Sequence, residues 1–178
     1  MKKILSLIVL VAALASCEDD VKFNDPAVQA LKDNELWKAT SYTAVLGAGN
    51  SLTITATNGF ETVTLRADNA DPYLCDGTEV NDPDSDKDGC EYLFGYDQEN
   101  SASYVLSADG ITKSYQTGID AEPGDEEGAI LIYRSRKYTN VQGGFISGEF
   151  YFNATDESGQ TVNFQQGVFY KIPIQAGL

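Results

Sequence analysis

Residues 52–57 read Leu-Thr-Ile-Thr-Ala-Thr, apolar and hydroxylated side chains in strict alternation. Only an extended strand with one face buried gives that pattern a use, because its side chains repeat every two residues. The pattern recurs along the chain. After Gly59, Val63 and Leu65 alternate again and predict a hairpin with Leu52, Ile54 and Ala56. Ala129 to Tyr133 is an apolar run of buried-strand length. Ile146, Phe150 and Phe152 share a face opposite Glu149, Tyr151 and Asn153. Asp156-Glu157-Ser158-Gly159 makes a turn, Val162 and Phe164 return toward the core, and Val168, Tyr170 and Ile172 alternate along a closing strand before Pro173. No window sustains a helical period. With 16 Gly, 10 Tyr and 8 Phe, and turn signals every ten or so residues, the expected fold is all-β. An antiparallel β-sandwich or open barrel with few or no helices fits it.

The segment 27–39 allows two readings. As a helix, residues 27–37 lack a good stop signal; as a hairpin, Val28–Leu31 and Leu36–Ala39 flank Lys32-Asp33-Asn34-Glu35, and the hairpin is preferred. Trp37, the single tryptophan, then sits on a strand beside a tight turn and is expected to anchor the core rather than present a ligand platform.

The first sixteen residues do not belong to that fold. Lys2 and Lys3 precede an apolar stretch from Ile4 to Leu14 that is broken only by Ser6. It is too short for a membrane-spanning helix, which needs about 20 residues, and has the build of a signal-peptide core. Leu14-Ala15-Ser16-Cys17 looks like the lipobox of bacterial lipoproteins. The resemblance implies a signal peptide at 1–16, acylation of Cys17 with palmitate-type chains, and anchoring to the outer membrane. Residues 17–26 follow as an acidic tether. Its Glu18-Asp19-Asp20 resembles the surface-export signal of some Gram-negative lipoproteins. Residues 27–178 remain as one β domain, within the size that a single core supports.

Of three cysteines, Cys17 is assigned to the lipid, which leaves Cys75 and Cys90. In an exported protein a disulfide between them is expected. It would close a loop of about 16 residues, stabilising by ~3 kcal/mol on the chain-entropy argument.

Composition excludes several functions. The 12 Lys+Arg against 27 Asp+Glu, net −15, are the wrong balance for nucleic acid. The absence of histidine removes Ser-His-Asp and Cys-His catalysis and every imidazole-based zinc site. No nucleotide-binding or nucleophile-elbow motif is present. A non-enzymatic binding or structural module at the cell envelope, with a protein or glycan ligand, is therefore expected. The competing reading is an enzyme that uses carboxylates alone on glycans. Arg134 and Arg136, placed on one strand face beside Lys137, are expected to balance the acidic surface.

One motif carries chemistry of its own. Residues 71–99 contain ten acidic side chains and one basic, Lys87. Asp84, Asp86, Asp88 and Gly89 fall at positions one, three, five and six of a D-x-D-x-D-G calcium loop, with the Cys90 carbonyl at position seven. Position twelve, usually a bidentate Glu, is Gly95; Asp82, Glu79, Glu91 or Asp97 would have to substitute. The alternative is a solvated, metal-free acidic loop. Calcium is the single cofactor that the sequence suggests.

The two ends of the mature chain carry a resemblance. Val28-Gln29-Ala30-Leu31-Lys32-Asp33 with Leu36-Trp37-Lys38-Ala39, then Gly148-Glu149-Phe150-Tyr151-Phe152-Asn153-Ala154, Val162-Asn163-Phe164 and Gly167-Val168-Phe169-Tyr170, resemble a domain-of-unknown-function family of bacterial lipoproteins. That resemblance implies a lipobox followed by a β domain and supplies no catalytic residue. The Cys-bounded acidic insert at 75–90 is not part of the family pattern.

Overall fold

A computed structural model describes residues 27–71, 73–81, 88–96, 98–119 and 121–176. The lipobox, the tether, Asp82, Asp84, Asp86 and Asp97 lie outside the described residues. Twelve strands follow in order: Val28–Lys32 (β1), Glu35–Lys38 (β2), Ser41–Leu46 (β3), Leu52–Thr57 (β4), Glu61–Ala67 (β5), Thr78–Val80 (β6), Gly89–Gly95 (β7), Ser101–Ala108 (β8), Ile111–Gln116 (β9), Glu126–Tyr133 (β10), Phe145–Thr155 (β11) and Thr161–Ala176 (β12). One 3-10 turn at Ala48–Asn50 is the only helical element among the described residues.

Pairing closes the sheet on itself. β12, β3, β4, β5, β8, β9 and β11 are neighbours in that order, and β11 pairs back onto β12. The two closures are short. β12 meets β3 in parallel through Ile174↔Ala44, Gln175↔Val45 and Ala176↔Leu46, and β9 meets β11 at Thr155↔Gln116. Elsewhere every pairing is antiparallel. β1 and β2 continue outward from β12, and β10, β7 and β6 from β11. The long β11 and β12 therefore belong to two layers at once: β2-β1-β12-β11-β10-β7-β6, and β3-β4-β5-β8-β9.

The core lies between the layers. Leu52, Ile54, Ala56, Val63 and Leu65 are each about 1% exposed, as the alternation in 52–65 predicts. From the other layer come Ile130, Ile132, Phe150, Phe152, Phe164 and Phe169. Trp37 is 4% exposed and packs edge-on to Phe164, with ring centroids 5.9 Å apart. It is the core anchor that its place beside the turn predicts. That turn is Asp33-Asn34, with φ of 49° and 66°, the two left-handed residues of the tight hairpin turn that suits twisted strands. The turn is docked as well as tight: the Asp33 amide donates to the Asn163 carbonyl (2.8 Å), and the Asn163 amide donates to the Asp33 carboxylate (2.9 Å).

The closing strand departs from expectation in phase. Val168 and Tyr170 lie away from the core while Phe169 is 1% exposed, and the strand runs through Pro173 to Ala176. The cause is two bulges. Phe152 pairs with Phe164 and Phe150 with Gly167, so two residues of β12 oppose one of β11; Gln166, within this bulge, has φ 49°. The same happens between Gly148↔Phe169 and Ile146↔Ile172, where Lys171 has φ 47°. Each extra residue flips the alternation and bends the strand. β12 needs that bend to pass from one layer to the other.

Candidate functional site

Three polar places were built up from the residues, and the first is structural. Lys32 at the end of β1, Glu61 at the start of β5 and Tyr104 in β8 meet between the layers. The Lys32 ammonium bridges to the Glu61 carboxylate. The Tyr104 hydroxyl donates to Glu61 at 2.6 Å, and Asn58 donates to the other oxygen at 2.6 Å. Burial alone would raise the Glu61 carboxyl, but hydrogen bonds from Lys32, Tyr104 and Asn58 outweigh it and hold it below its ordinary value. Burial, then the hydrogen bond to Glu61, pushes the Tyr104 hydroxyl up to about 12. Each carboxylate oxygen has a donor, so the cluster is a latch across the layers rather than a reactive centre.

The second place is the acidic insert. Cys75 and Cys90 form a disulfide, with Cα atoms 5.4 Å apart. Val80 pairs with Gly89, which ends the β6–β7 pairing at the two flanks of the acidic insert. Of the predicted ligands, Asp84 and Asp86 fall outside the described residues. Asp88 is exposed, and its carbonyl accepts the Arg134 amide at 2.8 Å. Cys90 stands inside β7, opposite Glu79 on one side and Ile132 on the other. Gly95 ends β7 at φ 151°, where a Cβ would come within 2.3 Å of the Asp125 carbonyl; close backbone approach explains that glycine. Among the described residues no three acidic or cysteine side chains gather as a metal site would require. Arg134 and Arg136 follow the end of β10 instead of sharing a strand face, and Arg134 pairs with Glu79 at 2.9 Å.

The third place is a groove of about 690 Å³ on the outer face of the seven-stranded layer. Register builds its floor. Glu91 of β7 opposes Leu131 of β10, which opposes Glu149 of β11, then Val168 of β12, Gln29 of β1 and Lys38 of β2. Six strands thus place acid, aliphatic, acid, aliphatic, amide and cation in one row. Beside it, Tyr151 opposes Ala129 and Leu31 opposes Leu36. Leu36 is 60% exposed and Tyr151 48% exposed, both unusual for large apolar side chains on a sheet. The Tyr133 hydroxyl donates to Glu149 and orients that carboxylate. Burial, then Glu149, pushes the Tyr133 hydroxyl well above its ordinary value, so it remains a donor at neutral pH. Burial and the charges of Glu91 and Glu126 likewise raise the Tyr151 hydroxyl.

Sequence reasoning placed Glu149 and Tyr151 on an outward face but did not nominate Gln29, Leu131 or Val168. Gln29 and Leu131 stand at period-two outward positions, the one signal available, whereas Val168 is turned outward by the bulges in β12. Their meeting depends on strand order.

Comparison with known proteins agrees with the resemblance at the chain's two ends. The family described as Domain of unknown function (DUF6252) matches residues 24–173, well over half the chain. The pattern described as Prokaryotic membrane lipoprotein lipid attachment site matches residues 1–17. No curated protein and no solved structure matches the chain.

Proposed function

The chain belongs to the DUF6252 family and carries a lipoprotein attachment site that ties it to a membrane, and from that premise we propose that it is a non-enzymatic binding module of the cell envelope. One observation supports this reading above others: the groove across the seven-stranded layer. Its volume suits a small ligand or a short stretch of a larger one, and its floor mixes aliphatic side chains with a few convergent polar groups. The rival, a carboxylate-based glycan hydrolase, would draw on Glu91 and Glu149. Sugar sites favour stacking rings, and in this groove the exposed ring is Tyr151 alone among the described residues.

The anchor in this proposal is the acylated Cys17, the last residue of the attachment site. The membrane is the outer one, with the acidic tether directing the domain outward. Several acyl chains hold a protein stably, at ~0.8 kcal/mol per buried methylene. Labelling with radioactive palmitate is expected to mark the wild type, which should sediment with outer-membrane vesicles. Cys17→Ala should lose both the label and the membrane. A wild type without label, or one found in the inner membrane, sinks this placement.

A second proposal concerns the acidic insert. Val80↔Gly89 pairing and the disulfide draw together the ends of a segment that contains Asp82, Asp84, Asp86 and Asp88. Confined like charges repel, and calcium would relieve that repulsion. Position twelve lies at the far end of β7, so affinity should be modest, about 10⁻⁴–10⁻³ M. Millimolar calcium should then raise the melting temperature of the wild type by a few degrees, and that of Asp86→Ala by less. Identical melts in calcium and in chelator leave the loop as solvated acid.

A further inference from the structure

Building on the groove as a binding face, we infer that its occupant is a polypeptide segment in which a basic side chain is followed by aliphatic ones. The segment lies across the strands with its cation between Glu91 and Glu149. Those two residues oppose Leu131 from either side. Their backbones stand two strand spacings apart, about 9.5 Å. A lysine or arginine stem laid over Leu131 covers apolar surface, while its head reaches both carboxylates. The chain's net charge of −15 favours such a partner before contact. Lys38, three strands beyond Glu149 in the same row, repels a second cation and so sets the direction in which the segment lies.

Gln29 supplies an independent observation. It is 9% exposed, it lines the groove, and its carboxamide has no hydrogen-bond partner among the described residues. The amide is not sealed from solvent: among the described residues Trp37 Nε1 is the buried side-chain polar atom without a partner, so an occupant of the groove can reach the Gln29 carboxamide. A peptide group laid over it offers a carbonyl and an N–H together. Val168, between Glu149 and Gln29, and the Leu31–Leu36 pair beside Gln29 and Lys38 form the aliphatic part of the groove. Branched aliphatic walls suit leucine-like side chains better than sugar rings, which decides between peptide and glycan.

The test uses the mature lipidated protein in detergent micelles and a fluorescein-labelled peptide, Lys-Leu-Gly-Leu-Leu, followed by anisotropy. Replacing lysine by norleucine should weaken binding about tenfold, the size of one charge-assisted contact. Glu91→Gln and Glu149→Gln should each weaken the lysine peptide by about three- to tenfold and leave the norleucine peptide unchanged, as a coupling cycle demands. Gln29→Leu should weaken both peptides. Equal binding of lysine and norleucine peptides, or indifference of the lysine peptide to both glutamate changes, overturns the assignment. An N-acetylglucosamine hexamer serves as the second probe. If it binds through the groove and the peptides do not, the peptide falls and the binding face stands. If neither probe binds at millimolar concentration, both fall.

Discussion

Replacing Phe164 with alanine is expected to destabilise the domain by about 3–5 kcal/mol, the range for deleting a fully buried aromatic ring. Phe164 is 0% exposed. Its ring stacks on Phe152 at 4.7 Å and touches Tyr104 at 5.4 Å and Trp37 at 5.9 Å. Those partners come from β11, β8 and β2, so one ring joins both layers and the first hairpin. Partial collapse cannot refill such a space, because the surrounding rings are held by three different strands. The melting temperature should fall on the order of 10 °C. Phe60→Ala is the control: at 67% exposure in the β4–β5 turn it should change stability by about 0.5 kcal/mol or less. Urea unfolding of the three proteins decides the matter. A loss under about 1 kcal/mol for Phe164→Ala would falsify the two-layer core.

Removal of the disulfide should be the next largest effect. The paired change Cys75→Ala with Cys90→Ala is expected to cost about 2–4 kcal/mol, since the crosslink spans 15 residues and restrains the unfolded chain. A local cost adds to it: Cys90 is fully buried, so its sulfur leaves space in the core. β6 has only three residues and pairs with β7 alone, so it should open first once the crosslink goes. Hydrogen exchange at Thr78–Val80 should rise well before that of β7. Reductant should lower the melting temperature of the wild type and leave the double variant unchanged. If reductant has no effect on the wild type, the bond contributes nothing under native conditions.

Much of the fold was legible because its signals are local. Thr-rich alternation at 52–57, the Asp33-Asn34 turn and the Asp156–Gly159 turn each specify a hairpin from a handful of residues, and each hairpin is present. Asp109-Gly110, both with positive φ, is an equally strong turn signal, and reading it would have found β8 and β9. The bulges in β12 were not legible. Gln166 and Lys171 adopt left-handed backbone without being Gly, Asn or Asp, so nothing in their chemistry announces the phase change. Tertiary pairing imposes it. The groove was hidden for a related reason: its floor residues, apart from Val168, are ordinary outward positions until non-local pairing sets β7, β10, β11, β12, β1 and β2 side by side.

The place where the chain enters the sheet has a mechanical consequence. The attachment site at residues 1–17 precedes β1 in the chain, and β1 is an inner strand with β2 on one edge and β12 on the other. At its first turn of backbone, the Tyr170 amide holds the Ala27 carbonyl at 2.8 Å and the Ala39 amide holds the Val28 carbonyl at 3.1 Å. Antiparallel hydrogen bonds run perpendicular to their strands, so tension drawn along β1 loads them in shear, several at once. Tension on the anchor is thus carried into the layer that bears the groove, because β1 both follows the attachment site in the chain and supplies Gln29 to the groove.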